Sequence, residues 1–285
     1  MVFLTKKTRT ASNTQEPKRK NYLLEVHRDP KERMNQYQLN RKIEAFIKEK
    51  DSKKEGYAPS DIAFIQQYEG DGGQGSKGAS GEGILYEFYT PEYIVALMWK
   101  LAMRHGFDAK GNILEPSLAT GRFFGPAPFK ERCYGFEINP ISKRIAEITY
   151  PEAKIFGGYF ETAFLEPPRF TQRLKNKVTW LEGYPFSLVL GNPPYGKYKN
   201  KYSSYFPKPK MHQIELFFMY YGLKLLRPGG LLVYLTSSNF MRNGISYNDE
   251  KLEIQEIADF VDAYRLPPVF KASQVPTDIL IFRKK

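Results

Sequence analysis

Residues 186–191, Phe186-Ser187-Leu188-Val189-Leu190-Gly191, form a short apolar run that stops on Asn192-Pro193-Pro194-Tyr195. This junction constrains the fold more than any other stretch. The run reads as a buried strand. Two consecutive prolines lack N–H groups and have fixed φ, so the sheet ladder cannot continue, and the main-chain carbonyls of Asn192 and Pro193 are expected to point outward. An amide oxygen beside a rigid carbonyl, followed by an aromatic face, suits gripping the –NH2 group of a planar substrate. Two acceptors take both hydrogens and aim the nitrogen lone pair at an electrophile, so catalysis comes from positioning. The Tyr195 ring is expected to stack on the substrate. The same residues also make an ordinary turn, and their neighbours decide between the two readings.

Those neighbours form an ordered series. Residues 112–115 read as a strand running into Pro116-Ser117-Leu118-Ala119-Thr120-Gly121, whose small residues let a ligand approach the backbone. Tyr134-Gly135-Phe136-Glu137 ends a second strand in a carboxylate, at about the interval where nucleotide-binding folds present an acid to ribose hydroxyls. A helix over 141–150 and a third strand over 153–156 lead to Gly158-Tyr159-Phe160-Glu161. Three strand ends with ligand-compatible residues thus precede Asn192, at the edge where open α/β sheets bind ligands. Upstream, Tyr89-Thr90-Pro91-Glu92 predicts a helix start with Thr90 as the cap. Downstream, residues 214–226 read as an apolar helix closed by Arg227-Pro228-Gly229-Gly230, followed by strands over 231–235, 260–265 and 278–282. The last two suggest an antiparallel edge on an otherwise parallel sheet.

The remaining segments set boundaries and exclude other chemistry. Residues 1–20 read as a disordered basic tail, 21–56 as a helical arm with Ile43, Phe46 and Ile47 on one stripe, and 57–285 as the main domain. The glycine-rich run at 70–78 lacks the Gly-Lys-Ser/Thr order of a phosphate loop, because Lys77 precedes Gly78, and it reads as a flexible loop over the site. Cys133, the single cysteine, permits no intrachain disulfide or cysteine metal site, points to a reducing cytoplasmic compartment, and is expected in the core. His27, His105 and His212 have no metal-ligand spacing, so no metal is expected. No apolar stretch reaches membrane-spanning length. The formal net charge of +12, with 20 tyrosines and 21 phenylalanines, suits a partner carrying phosphates and flat rings. An insertion at 196–210 concentrates that character: Lys197, Lys199, Lys201, Lys208 and Lys210 alternate with Tyr198, Tyr202, Tyr205 and Phe206, without an acidic residue. Its lysines are expected on phosphates and its rings on bases.

With these residues in view, the chain resembles S-adenosylmethionine-dependent DNA adenine-N6 methyltransferases of restriction-modification systems and mobile elements, over roughly residues 70–285. The resemblance implies a doubly wound, mostly parallel, seven-stranded Rossmann-like α/β sheet with an antiparallel edge strand. It also implies transfer of a methyl group from S-adenosylmethionine to adenine N6 of DNA after base flipping. Position by position, Tyr89, Thr90 and Pro91 join the cofactor pocket, while Glu115, Pro116, Ser117, Ala119 and Gly121 surround its methionine end. Glu137 takes the ribose hydroxyls, Ile138 lies against the adenine, Phe160 flanks that ring, and Asn192 borders the cofactor. Asn192 and Pro193, with Pro194 and Tyr195, hold the target amine, and Tyr195 and Phe270 sandwich the extruded base. Lys197, Tyr198, Lys199 and Lys201 meet the DNA.

Two departures stand out. Ala119 replaces the first glycine usual in the family's loop. The chain also stops just after the last strand, where many relatives continue into a recognition domain, so target specificity is expected either to come from the lysine-tyrosine loop, the arm or a separate specificity subunit, or to be low. Two other readings stay open: a methyltransferase acting on RNA or a protein glutamine amide, and a DNA-binding subunit with weak turnover.

Overall fold

The computed structural model describes residues 30–70, 88–165, 186–241, 248–270 and 276–285. The expected tail at 1–20, most of the glycine-rich run, Tyr86, Glu87 and the irregular stretch near 167–180 lie outside these residues. Seven strands, β1 (Asn112–Glu115), β2 (Cys133–Glu137), β3 (Lys154–Gly157), β4 (Phe186–Gly191), β5 (Leu226–Ser237), β6 (Ala258–Leu266) and β7 (Thr277–Lys284), form one sheet in the order β3-β2-β1-β4-β5-β7-β6. The pairs from β3 through β5 are parallel, while β7 runs antiparallel to both β5 and β6. The expected antiparallel pairing is therefore at that end of the sheet, with β7 lying inside β6.

The strand order reverses between β1 and β4, which pair directly although two strands separate them in sequence. The connections that follow these two strands pack on opposite faces of the sheet, the arrangement in which open α/β sheets bind ligands at the strands' carboxyl ends. β4 carries no exposed residue because both sheet faces are covered. Val189 points into one core with Phe217, Leu223 and Tyr234, and Leu188 and Leu190 into the other with Met98, Trp99 and Val233. Successive strand side chains alternate between faces, so one unbroken apolar run serves two cores.

Helix α3 (Glu92–Arg104) covers one face and α5 (Ile214–Leu225) the other. Gly222 lets α5 lie close to the sheet: a Cβ there would come within 3.1 Å of Val189 and of the Tyr234 hydroxyl. Helix α4 (Pro140–Thr149) is capped by the Asn139 side chain, which accepts from the Ile141 and Ser142 amides. The arm runs past its expected end at residue 56 and consists of α1 (Pro30–Lys53) and α2 (Pro59–Ile65), which share one apolar core. Ile43, Ile47, Ile65 and Tyr68 pack with Ile145 of α4, and Arg144 pairs with Asp51 at 2.6 Å.

Several expectations need correction. Thr90 does not cap α3: Pro91 occupies the cap position, and Thr90 Oγ1 is buried without a partner. β5 begins at Leu226 rather than 231, so the Arg227-Pro228-Gly229-Gly230 stretch extends the strand. Helix α6 (Asn248–Ile257), rich in charged residues, was not foreseen. Among the described residues no helix is long and apolar enough to cross a membrane and no cluster could hold a metal ion. Cys133 is buried and free, and burial pushes its thiol up to about 12, as suits a core residue rather than a nucleophile.

Candidate active site

The loops after β1, β2 and β4 converge at the reversal point. Asn192, the first residue beyond β4, is held from three directions. Its side-chain Nδ2 donates to the Phe88 carbonyl at 3.0 Å, its Oδ1 lies 2.5 Å from the Tyr195 hydroxyl, and its main-chain carbonyl accepts from Ser117 Oγ at 2.9 Å. The bond to Phe88 fixes which end of the amide is the acceptor, because a carbonyl takes a hydrogen bond only from the NH2 end. The expected outward main-chain carbonyl of Asn192 is thus corrected: Ser117 draws it toward the β1 loop. Pro193 is buried, and Pro194 and Tyr195 are half-buried. The Tyr195 hydroxyl also lies 3.3 Å from the Leu235 carbonyl.

On the β1 side, Glu115 is only 2% exposed and its Oε2 has no hydrogen-bond partner. Burial first, then the nearby charge of Glu137, holds its carboxyl well above the usual carboxylate range. Pro116 is buried, Ser117 bridges to Asn192, and Gly121 follows in the left-handed region. Ala119 has φ +50°, a conformation unfavourable for a residue with a Cβ, and its N–H donates to Glu137 Oε2 at 2.6 Å. The other Glu137 oxygen accepts from the Asn139 N–H at 2.7 Å. Ile138 beside it is 44% exposed, an open apolar shelf.

Residues 89–91 close the near side. The Tyr89 hydroxyl is 2.6 Å from Ser142 Oγ, and the Arg122 guanidinium lies over the Tyr89 ring while donating to the Thr90 carbonyl at 3.3 Å. Pro91 is half-buried before α3. The arm reaches this wall too, with the Tyr68 ring 6.3 Å from Tyr89. Glu115 Oε2, at the end of β1, and Thr90 Oγ1, just ahead of α3, are buried polar atoms without partners. Such atoms are costly unless something else satisfies them.

Other expected residues lie elsewhere. Phe160 is 1% exposed and surrounded by Phe136, Phe164 and Phe218, so it belongs to the core under the site instead of presenting a free face. Phe270 is 5% exposed with its ring 5.2 Å from Phe88, next to the carbonyl that holds Asn192. In the insertion, Lys197, Lys199 and Lys201 are exposed, but most rings turn inward. Tyr198 stacks on Phe217 at 4.2 Å, so the face expected for a base is already covered, and Tyr202 and Phe206 join the same core. Only Tyr205 among these four rings is exposed. Burying the aromatic area gains more than leaving it in water, so the lysines are what the insertion presents outward.

The motif reading missed several contributors. Phe88 acts through its carbonyl, which no side-chain pattern reveals. Arg122 was passed over inside the loop. Glu215 is buried in the first turn of α5 and was detectable as a lone acid in an apolar helix; its carboxyl lies within reach of Gly196 and Ser237.

The chain is similar to several known proteins. Residues 131–270 match the family model of the Eco57I restriction-modification methylases. Over 224 residues the chain is 28% identical to the Defense against restriction protein B of Escherichia phage P1, a match that covers 78% of this chain but only 9% of that protein. Among solved structures, the type I restriction-modification system methyltransferase subunit from Streptococcus thermophilus aligns with a TM-score of 0.53 and 19% identity, over 70% of this chain and 45% of that one. The DrdV–DNA complex aligns with a TM-score of 0.55 and 18% identity, over 78% of this chain and 28% of that one. The fold is the Rossmann-like fold of methyltransferases, and the chain is similar to restriction-modification methylases over the stretch that carries Asn192.

Proposed function

We propose that this chain transfers a methyl group from S-adenosylmethionine to adenine N6 in DNA. The observation that carries the reading is the fixed Asn192 amide. Phe88 holds its Nδ2, its Oδ1 faces the Tyr195 hydroxyl, and Ser117 ties its main chain to the loop after Glu115. The unpartnered Glu115 Oε2 and Thr90 Oγ1 and the exposed Ile138 suit a cationic, partly apolar cofactor. Bound there, S-adenosylmethionine supplies an electrophilic methyl group on a positively charged sulfur.

The residues divide the work. Glu115, Pro116, Ser117, Ala119 and Gly121 line the methionine end, Glu137 accepts from the ribose hydroxyls, and Ile138 carries the adenine. Tyr89, Thr90 and Pro91 form the near wall, with Phe160 supporting the floor from the core. The target base is flipped out of the duplex. Its amine then replaces the Tyr195 hydroxyl at Asn192 Oδ1 and takes the Pro193 carbonyl as second acceptor. The Tyr195 ring stacks on the base, with Phe270 closing the far side through Phe88. Holding both amine hydrogens directs the nitrogen lone pair; forming the N–C bond would break the donor's S–C bond and leave a neutral thioether, and the amine nitrogen would release one proton to solvent. No residue forms a covalent bond to the base. Exposed Lys197, Lys199 and Lys201 meet phosphates, with Tyr198 buttressing the loop that carries them.

The test is to incubate the protein with methyl-labelled cofactor and unmethylated DNA and to resolve the nucleosides after digestion. Label in N6-methyladenine is expected. Label in methylcytosine, or label only when RNA or protein replaces DNA, contradicts the reading.

A further inference from the structure

Glu215 is a buried acid for which the mechanism above has no task. It stands in the first turn of α5, otherwise an apolar helix, and is 7% exposed. One carboxyl oxygen accepts from the Gly196 N–H at 3.3 Å and the other from the Ser237 hydroxyl at 3.4 Å. Gly196 immediately follows Tyr195, and Ser237 ends β5. The carboxyl therefore spans the gap between two strand ends beneath the rim that carries Asn192.

The grip on Gly196 is two-sided. While Glu215 takes its N–H, the Gly196 carbonyl accepts from the Ile214 N–H at 2.9 Å. The first turn of α5 thus holds both polar groups of one peptide residue. Lys197 forms an antiparallel bridge with Gln213, and the Tyr198 N–H donates to the His212 carbonyl at 2.8 Å, continuing the tie outward. Gly196 has φ +123°, in a region where only glycine is at ease. Glycine also has the widest backbone freedom of any residue, so an external hold fixes where the neighbouring Tyr195 ring sits. Carrying a buried carboxyl is costly, since burial pushes it above the usual carboxylate range. An apolar residue would suit the helix better, and what the acid contributes is acceptors.

We propose that Glu215 is a positioning residue for methyl transfer, fixing the segment that leaves Tyr195 by accepting hydrogen bonds from the Gly196 N–H and the Ser237 hydroxyl. It touches neither cofactor nor base; it acts through the loop. The proposal rests on the reading of Asn192 and Tyr195 as the target-amine site.

The test compares wild type with Glu215→Leu, which keeps side-chain volume but has no acceptor, and Glu215→Gln, which restores one. Amide exchange is measured on peptides spanning 192–198, alongside cofactor affinity and kcat for DNA methylation. In Glu215→Leu, exchange there is expected to speed up by about tenfold and kcat to fall by about tenfold with cofactor affinity kept. Glu215→Gln is expected to recover most of both. If Glu215→Leu does not fold, Ser237→Ala, which removes one bond and little volume, is expected to speed exchange in the same peptides. Unchanged exchange, unchanged kcat, or a Gln variant as impaired as Leu overturns the proposal. Wild-type protein that leaves DNA unmethylated would instead overturn the function reading, and the exchange experiment still decides whether Glu215 holds the segment.

Discussion

Glu115 is a buried acid that works against the folded state, and under the proposed function it is set toward the cationic cofactor. Its folded-state affinity for a proton is raised by burial and by the Glu137 charge. Between the ordinary carboxylate range and that raised value, the folded chain binds more protons than the unfolded one. Stability contributed by this group is therefore lost as pH rises through that window. Glu115→Gln is expected to raise the melting temperature at neutral pH, while cofactor affinity falls. A cationic ligand favours the ionised acid, so cofactor binding is expected to release a proton in wild type and not in the variant. Calorimetry in buffers of different ionisation enthalpy measures this, and equal proton release in both would remove Glu115 from the pocket. Ala119 makes a second case. Its φ of +50° is strained for alanine, so Ala119→Gly is expected to stabilise the chain by about 0.5–1 kcal/mol in denaturant unfolding.

Elements, more than single residues, explain what was legible in advance. The parallel strands and the loops after β1, β2 and β4 were readable because apolar runs ending in Glu115, Glu137 and Asn192 need no tertiary information. The direction of the insertion's rings was not, because Tyr198 and Phe206 look alike in sequence whether they face water or Phe217. Half the residues of the missed helix α6 are charged, and only Glu250 and Ile254 are buried, too little for a periodic signal. At this scale the lysines can be tested as a unit. Replacing Lys197, Lys199 and Lys201 with alanine is expected to weaken DNA binding and to flatten its salt dependence by about 0.9 in logarithmic slope for each phosphate no longer neutralised. An unchanged slope would mean the insertion does not meet phosphates. Replacing the tyrosine at 198 with alanine is expected to destabilise the fold instead, because its ring is part of the core.

Across the whole molecule, the reversal of strand order between β1 and β4 sets Glu115, with its unpartnered Oε2, and the oriented Asn192 at the ends of adjacent strands. The arm braces the neighbouring wall through Ile43, Ile145 and the Tyr68–Tyr89 contact. The most direct test of the account compares wild type with Asn192→Ala, measuring label in N6-methyladenine and cofactor affinity side by side. Loss of the acceptor is expected to lower turnover by about a hundredfold or more while cofactor affinity changes little. Turnover that survives the substitution undiminished would contradict it.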